Sequence, residues 1–365
     1  MIKPTRSCIR LLCLLPAVSV LVSACAVAQS TPKVALLALS KQDHTLAIVD
    51  PASLKIVARV PVGDDPHEVI ASSDGKMAYV SNYGFGSFHT LTVIDLIEQK
   101  QAKVIDLGAL RGPHGLTFEQ GKVWFTAEAA KAIGSYDPAS GKIDWIMGTG
   151  QNRTHMVYVF PGAKRILTTN VNSATVTILD KTEGRAGGPP PGMGPGGPAG
   201  GAPPPGMPPG PPPAPPGGDW QLTVVPVGRG SEGFDVTPDG KEAWIANAGD
   251  GTISVIDLVA KQVVATLNVN VPGANRLKFT PDGKLALVSA GQALVVLDAA
   301  TRKEVKRLSN VHASGGIQMQ PDGARAYAAC GRDGYVSVID LKTLEEVGHI
   351  GPVGGPDGLA WAVRE

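Results

Sequence analysis

The 365-residue chain is 43% hydrophobic and 18% charged, with 33 basic and 32 acidic side chains and a formal net charge of +1. This is enough apolar material for a sizeable core in one large or two ordinary domains. The near-neutral balance excludes bulk electrostatic binding to nucleic acid or to an anionic membrane surface.

Residues 1–28 have the layout of an export signal: Lys3, Arg6 and Arg10, an apolar run from Leu11 to Val22, then small residues. The run is shorter than the roughly 20 apolar residues of a membrane span. Two cleavage points compete. "AVA" before Gln29 suits a signal peptidase, whereas "VSAC" resembles a bacterial lipobox that would leave Cys25 as a lipidated N-terminus. Either way the domain is expected to be periplasmic or secreted, touching a membrane only through that lipid anchor. Cys8 and Cys13 lie in the leader, so Cys330 has at most Cys25 as a partner. No structural disulfide is expected.

From Gln29 onward one phrase recurs: "LAIVD" ending at Asp50, "LTVID" at Asp95, "IGSYD" at Asp137, "VTILD" at Asp180, "ISVID" at Asp257, "LVVLD" at Asp298 and "VSVID" at Asp340. The spacings are 45, 42, 43, 77, 41 and 42 residues. The long one contains residues 184–218, in which 28 of 35 residues are Pro or Gly. Such a tract cannot build a packed core and is expected to be disordered or partly polyproline II, a surface insertion within one domain. Without it the spacing falls to 42.

Each period carries four short β-like runs joined by turn signals, as in "GFDVTPDGKEAWIANAGDGTISVIDLVAKQVVATLNV". Four strands per ~40–45 residues, repeated, is the pattern of a propeller blade. First strands begin near His67, His114, His155, Glu232, Asn275, Gly315 and Asp357. The last of these, "DGLAWAVR", has no further strands after it, and "KVALLALS", "LAIVDP" and "KIVARVPV" near the start supply the missing three. The expected fold is an all-β, seven-bladed β-propeller over residues 29–365, closed by pairing N-terminal strands with the C-terminal strand. The Asp ending each phrase is expected to cap a turn.

"KMAYVSN", "EAWIAN" and "ISVID" resemble the YVTN-type repeats of bacterial envelope propellers, and the resemblance covers the mature chain apart from the Pro/Gly tract. More loosely, the chain is similar to lactonase-like and cytochrome d1-like propellers. This resemblance implies the fold strongly and an activity weakly. It implies an envelope protein or a small molecule as partner, and a monomer.

Aligned on their Asp-Gly turns, the repeats place His67, His114, His155, Glu232, Asn275, Gly315 and Asp357 at one position of the channel-lining strand. Five of these residues can bind a metal through a ring nitrogen or a carboxylate. His67, His114, His155 and Glu232 are therefore candidate ligands for Zn²⁺, Cu²⁺ or Fe²⁺. Arg111, Arg153, Arg229, Asn275, Arg276 and Asp357 are candidate ligand-binding residues at the same mouth, where four arginines could attract a carboxylate or phosphate. Chain direction puts the Pro/Gly tract on the opposite face. "GxSxG", "HExxH" and a Gly-rich phosphate loop do not occur. Two functions follow. One is a binding or scaffold propeller presenting this face to a partner or small ligand. The other is a metal-assisted hydrolase or lyase at the channel mouth, with Asp357 or Glu128 as general base.

Overall fold

The computed structural model describes residues 29–182 and 219–365. The expected leader at 1–28, with its cleavage sites, and the Pro/Gly tract at 184–218 lie outside the described residues. The described chain forms seven four-stranded antiparallel sheets. Their first strands touch one another in ring order and close the circle, giving the expected propeller.

Blade 1 joins both ends of the chain: Pro356–Val363 is its inner strand, followed outward by Val34–Ser40, Thr45–Asp50 and Lys55–Pro61. The closing ladder runs antiparallel from Val34 opposite Val363 to Ser40 opposite Pro356. Blades 2 to 7 start at Pro66–Ala71, Pro113–Glu119, Thr154–Val159, Ser231–Val236, Arg276–Phe279 and Ile317–Met319. The long spacing falls inside blade 4, where Thr175–Lys181 pairs along its length with Trp220–Pro226. The insertion leaves the ladder intact.

Burial follows position in the blade. The third strands are buried on both faces between neighbouring blades and mostly apolar, as in Thr90–Asp95 and Thr252–Asp257. Outer strands such as Lys142–Gly148 alternate exposed and half-buried residues, because only one face has a neighbour. The turn chemistry is equally local. Asp50, Asp95, Asp137, Asp257, Asp298 and Asp340 each accept backbone N–H groups two or three residues on. Asp180 is the exception: it pairs with Arg165 and Lys261, since its strand leads into the insertion instead of a tight turn.

Leu37 is fully buried in the closing strand. Leu37→Ala is expected to lower stability by about 2–5 kcal/mol in a denaturant titration. Removal of residues 355–365 is expected to abolish cooperative unfolding, because blade 1 then exposes an unpaired edge to the channel.

Candidate metal and ligand site at the channel mouth

The residues of the predicted ring sit where the inner strands begin, and the backbone there is not regular. In blades 2 to 5 the register between first and second strands slips between Pro66 and Val69, Pro113 and Leu116, Thr154 and Val157, and Ser231 and Phe234. Blade 1 slips opposite Asp357 and Gly358. Each slip is a β-bulge that fits one extra residue against the partner strand and re-aims side chains. His67, His114, His155, Glu232 and Asp357 are all bulge residues, and so is Glu68. The inner strands also approach one another closely. A side chain at Gly115 would lie 2.7 Å from the His155 carbonyl oxygen, and one at Gly233 would lie 2.5 Å from that of Asn275.

This crowding brings the three histidines together. The His67 and His114 rings are 4.8 Å apart between centroids, and the His114 and His155 rings 3.9 Å. Tyr83 meets His67 and His114 edge-on at 4.7 and 5.1 Å. His114, Glu128 and His155 each offer a ligand atom, all within 4.8 Å of one another, and all three residues are buried. His155 is held between carboxylates: Nδ1 bonds Glu128, and Nε2 lies 2.7 Å from Glu232 Oε2 but outside hydrogen-bond geometry. Tyr83 donates its hydroxyl to Glu128. Arg153 reaches Glu128 at 3.4 Å and Glu232 at 3.3 Å. The Nδ1 atom of His114 is buried with no hydrogen-bond partner among the described residues.

The charges follow from these contacts. Burial opposes a proton on His155, but Glu232 and Glu128 outweigh it and raise its pKa above the ordinary imidazole value. Burial opposes ionisation of Glu232 as well, yet His155 and Arg153 pull its pKa down to about 2. Glu128 is lowered in the same way, against its own burial, by His155 and Tyr83. Burial and the positive charges of the neighbouring residues hold His114 well below its ordinary value, so its ring is neutral. A neutral, buried, unpartnered imidazole nitrogen beside a second histidine and a carboxylate is a donor set that suits a transition metal. Two imidazoles and one carboxylate would also leave positions open for water or ligand.

His67 and Glu232 stand beside this triad. His67 has its own partners: Lys41 Nζ at 2.6 Å, Asp65 at 3.3 Å and Asp357 at 3.3 Å. Asp357 needs the missing side chain at Gly315, whose Cβ would lie 2.9 Å from its carboxylate. The arginines do not form a free anion-binding cluster. Arg153 is committed to the two glutamates, and Arg229 is exposed and pairs with Asp250 at 2.7 Å. Arg111 is exposed and has no ion pair among the described residues. Arg276 is buried; it bonds Asn275 Oδ1 at 2.7 Å and pairs with Glu68, which belongs to a non-adjacent blade. That ion pair therefore crosses the channel. Asn82, Asn170 and Asn247 turn away from the mouth and bridge Thr and Ser hydroxyls within their own blades.

The ring alignment found the histidines but not Tyr83, Lys41, Asp65 or Glu68, and it gave Glu128 no place among the ligands. Tyr83 and Glu128 each follow a second strand, ending at Asn82 and Ala127 respectively, so one shared repeat position places both. A polar or aromatic residue at that position in consecutive repeats was the available signal.

No family model matches the chain, and no curated protein matches it in sequence. Solved structures do match in fold. A protein of unknown function from Desulfotomaculum acetoxidans aligns with TM-score 0.69 at 13% identity, over 91% of this chain and 99% of its own. A provisionally assigned 6-phosphogluconolactonase from Bacteroides uniformis gives 0.66 at 14% identity, over 90% and 99%. The dihydro-heme d1 dehydrogenase NirN gives 0.59 at 16% identity, over 89% and 74%. At these identities the likeness is one of fold, and it establishes a seven-bladed propeller with lactonase-like and NirN-like neighbours.

Glu68 and Arg276 are nearly buried, with side-chain exposures of 11% and 9%. Glu68→Gln removes the guanidinium's paired carboxylate, leaving only the more distant Asp357 and Glu232, and is expected to lower stability by about 3 kcal/mol. The double variant Glu68→Leu/Arg276→Met is expected to lose much less, by the same denaturant titration.

Proposed function

We propose that this propeller is an exported YVTN-type envelope protein that binds a transition metal at its channel mouth, through His114, Glu128 and His155, and uses the metal to hold a small ligand or a partner's donor group. The observation that carries this reading is the buried triad of residues with ligand atoms within 4.8 Å of one another, in which His114 also has a buried Nδ1 with no hydrogen-bond partner among the described residues. Zn²⁺ suits the donor set best, at metal–ligand distances of about 2.0–2.2 Å. Small side-chain rotations would draw the atoms in. His67 and Glu232, just outside, would orient the ligands and balance charge. Arg153, Arg229 and Arg276 are committed to carboxylates, which leaves the metal, beside the exposed Arg111, as the main attraction for an incoming donor atom. Export is supported by the leader-like composition of residues 1–28, and the YVTN-type reading by the repeat motifs.

Metal-assisted hydrolysis is the competing reading. In the metal-free site His155 and Arg153 hold the pKa of Glu232, the carboxylate beside the triad, down to about 2, so it serves there as their counter-ion.

The untagged protein, analysed for metal directly and after exposure to Zn²⁺, Cu²⁺ and Mn²⁺, is expected to hold about one equivalent of a transition metal. His114→Ala and Glu128→Gln are expected to weaken its binding by more than about tenfold. Absence of metal under every condition would refute the reading. The proton on His155 competes with the metal, and its pKa is raised, so affinity is expected to fall as the pH drops through and below that value. Metal titrations across pH 5 to 8 read this directly.

A further inference from the structure

A second concave site lies away from the channel, on the opposite face, between blades 3 and 4. It is a groove of about 600 Å³ whose walls include Trp124, Trp145 and Trp220. The three indoles form a row: Trp124 and Trp145 are 5.4 Å apart between centroids and Trp145 and Trp220 also 5.4 Å, with planes inclined at 61° and 55°. Trp124 is buried and its Nε1–H donates to the Glu119 carbonyl, which fixes the inner end of the row. Trp145 and Trp220 are half-buried, and among the described residues neither indole N–H has a hydrogen-bond partner. Inclined aromatic rings with free indole donors are what a polyproline segment recognises. The rings pack on the pyrrolidines, and the N–H groups donate to carbonyls that such a segment cannot satisfy internally.

The same groove is where the insertion leaves the blade. Thr182 lines it, and Trp220, two residues after the tract ends, forms one wall. The two roots are fastened together: Thr182 N–H donates to the Asp219 carbonyl at 2.7 Å, and Asp219 N–H donates to the Thr182 hydroxyl at 3.0 Å. Between them the sequence carries three Pro-Pro-Pro runs, at 189–191, 203–205 and 211–213, and 15 of the chain's 31 prolines. Its only charged residues are Glu183 and Arg185, so the segment itself brings little charge to desolvate; the groove's own charges are Lys164, Lys181 and the Lys122–Asp144 pair.

We propose that the Trp124–Trp145–Trp220 groove is a polyproline-binding site whose occupant is this chain's own 183–218 segment. A segment tethered at both ends to the rim meets the groove at an effective concentration on the order of millimolar. Even a contact too weak to detect between separate molecules is then substantially filled. This site is independent of the metal reading, because it lies on the other face and shares no residue with the triad.

The test uses the full chain and a variant in which residues 186–216 are replaced by an equally long Gly/Ser sequence. A synthetic peptide of residues 186–216 is titrated into each, with tryptophan fluorescence and indole N–H chemical shifts as readouts. The Gly/Ser variant is expected to bind the peptide, and the wild type at least about fivefold more weakly, because its own segment competes. Adding Trp145→Ala to the Gly/Ser variant is expected to abolish binding. Trp145→Phe, which keeps the packing but removes the donor, is expected to weaken binding and guards against a folding defect. No binding to the Gly/Ser variant would overturn the site. Equal binding to both proteins would overturn the occupant, as would tract-dependent dimerisation in light scattering at rising concentration, since either places a proline segment there in trans.

Discussion

The close approach of the inner strands around the channel is the constraint on which the rest of the structure depends. At Gly115 and Gly233 the backbone of one blade comes so near the next that a Cβ would sit within 2.7 Å of a carbonyl oxygen. The carbonyls at the ring position are tied across the blades: Thr126 bonds that of His155, and Thr169 that of Glu232, each at 2.6 Å. Side chains entering the channel from strands held this tightly must touch one another. Three imidazoles within 5 Å of a neighbour then follow from the fold once the sequence places them in register.

Convergence has an electrostatic cost, which the mouth meets by pairing nearly every charge. His155 lies between two glutamates, Arg153 bridges the same two, and Lys41 serves His67, Asp65 and Asp357. Buried charges left alone would lose several kcal/mol each. The neutral His114 makes no such pair, and its buried Nδ1 is unpartnered among the described residues, as are His155 Nε2, Asp65 Oδ2 and Arg276 Nε. Unsatisfied buried atoms gathered at one mouth are a stronger pointer to a ligand than the number of histidines.

The period of the VID-type phrase was enough to recover seven blades, the closing strand and the place of the insertion, because blade repeats impose β-strand alternation and turn chemistry locally. The candidate site was legible only in part. Counting back from the turns found His67, His114 and His155, since a bulge at the same place in each of their three blades preserves the count. It could not show where the bulge aims each side chain, so Glu68 and its partner Arg276 went unconnected. Glu128 was noticed but not joined to the histidines, because it approaches them from the loop after a neighbouring strand. The arginines read as an anion trap because sequence shows charges without their partners. Asp250 and Glu68 answer Arg229 and Arg276 only in three dimensions.

The Glu68–Arg276 pair also bears on transport. A hole along a propeller's axis looks like a conduit, but an ion pair from non-adjacent blades spans this one. A solute moving along the axis from the histidine mouth meets this buried salt bridge on its way. The histidine mouth and the tryptophan groove thus open on opposite faces of one ring, with paired charge across the axle between them.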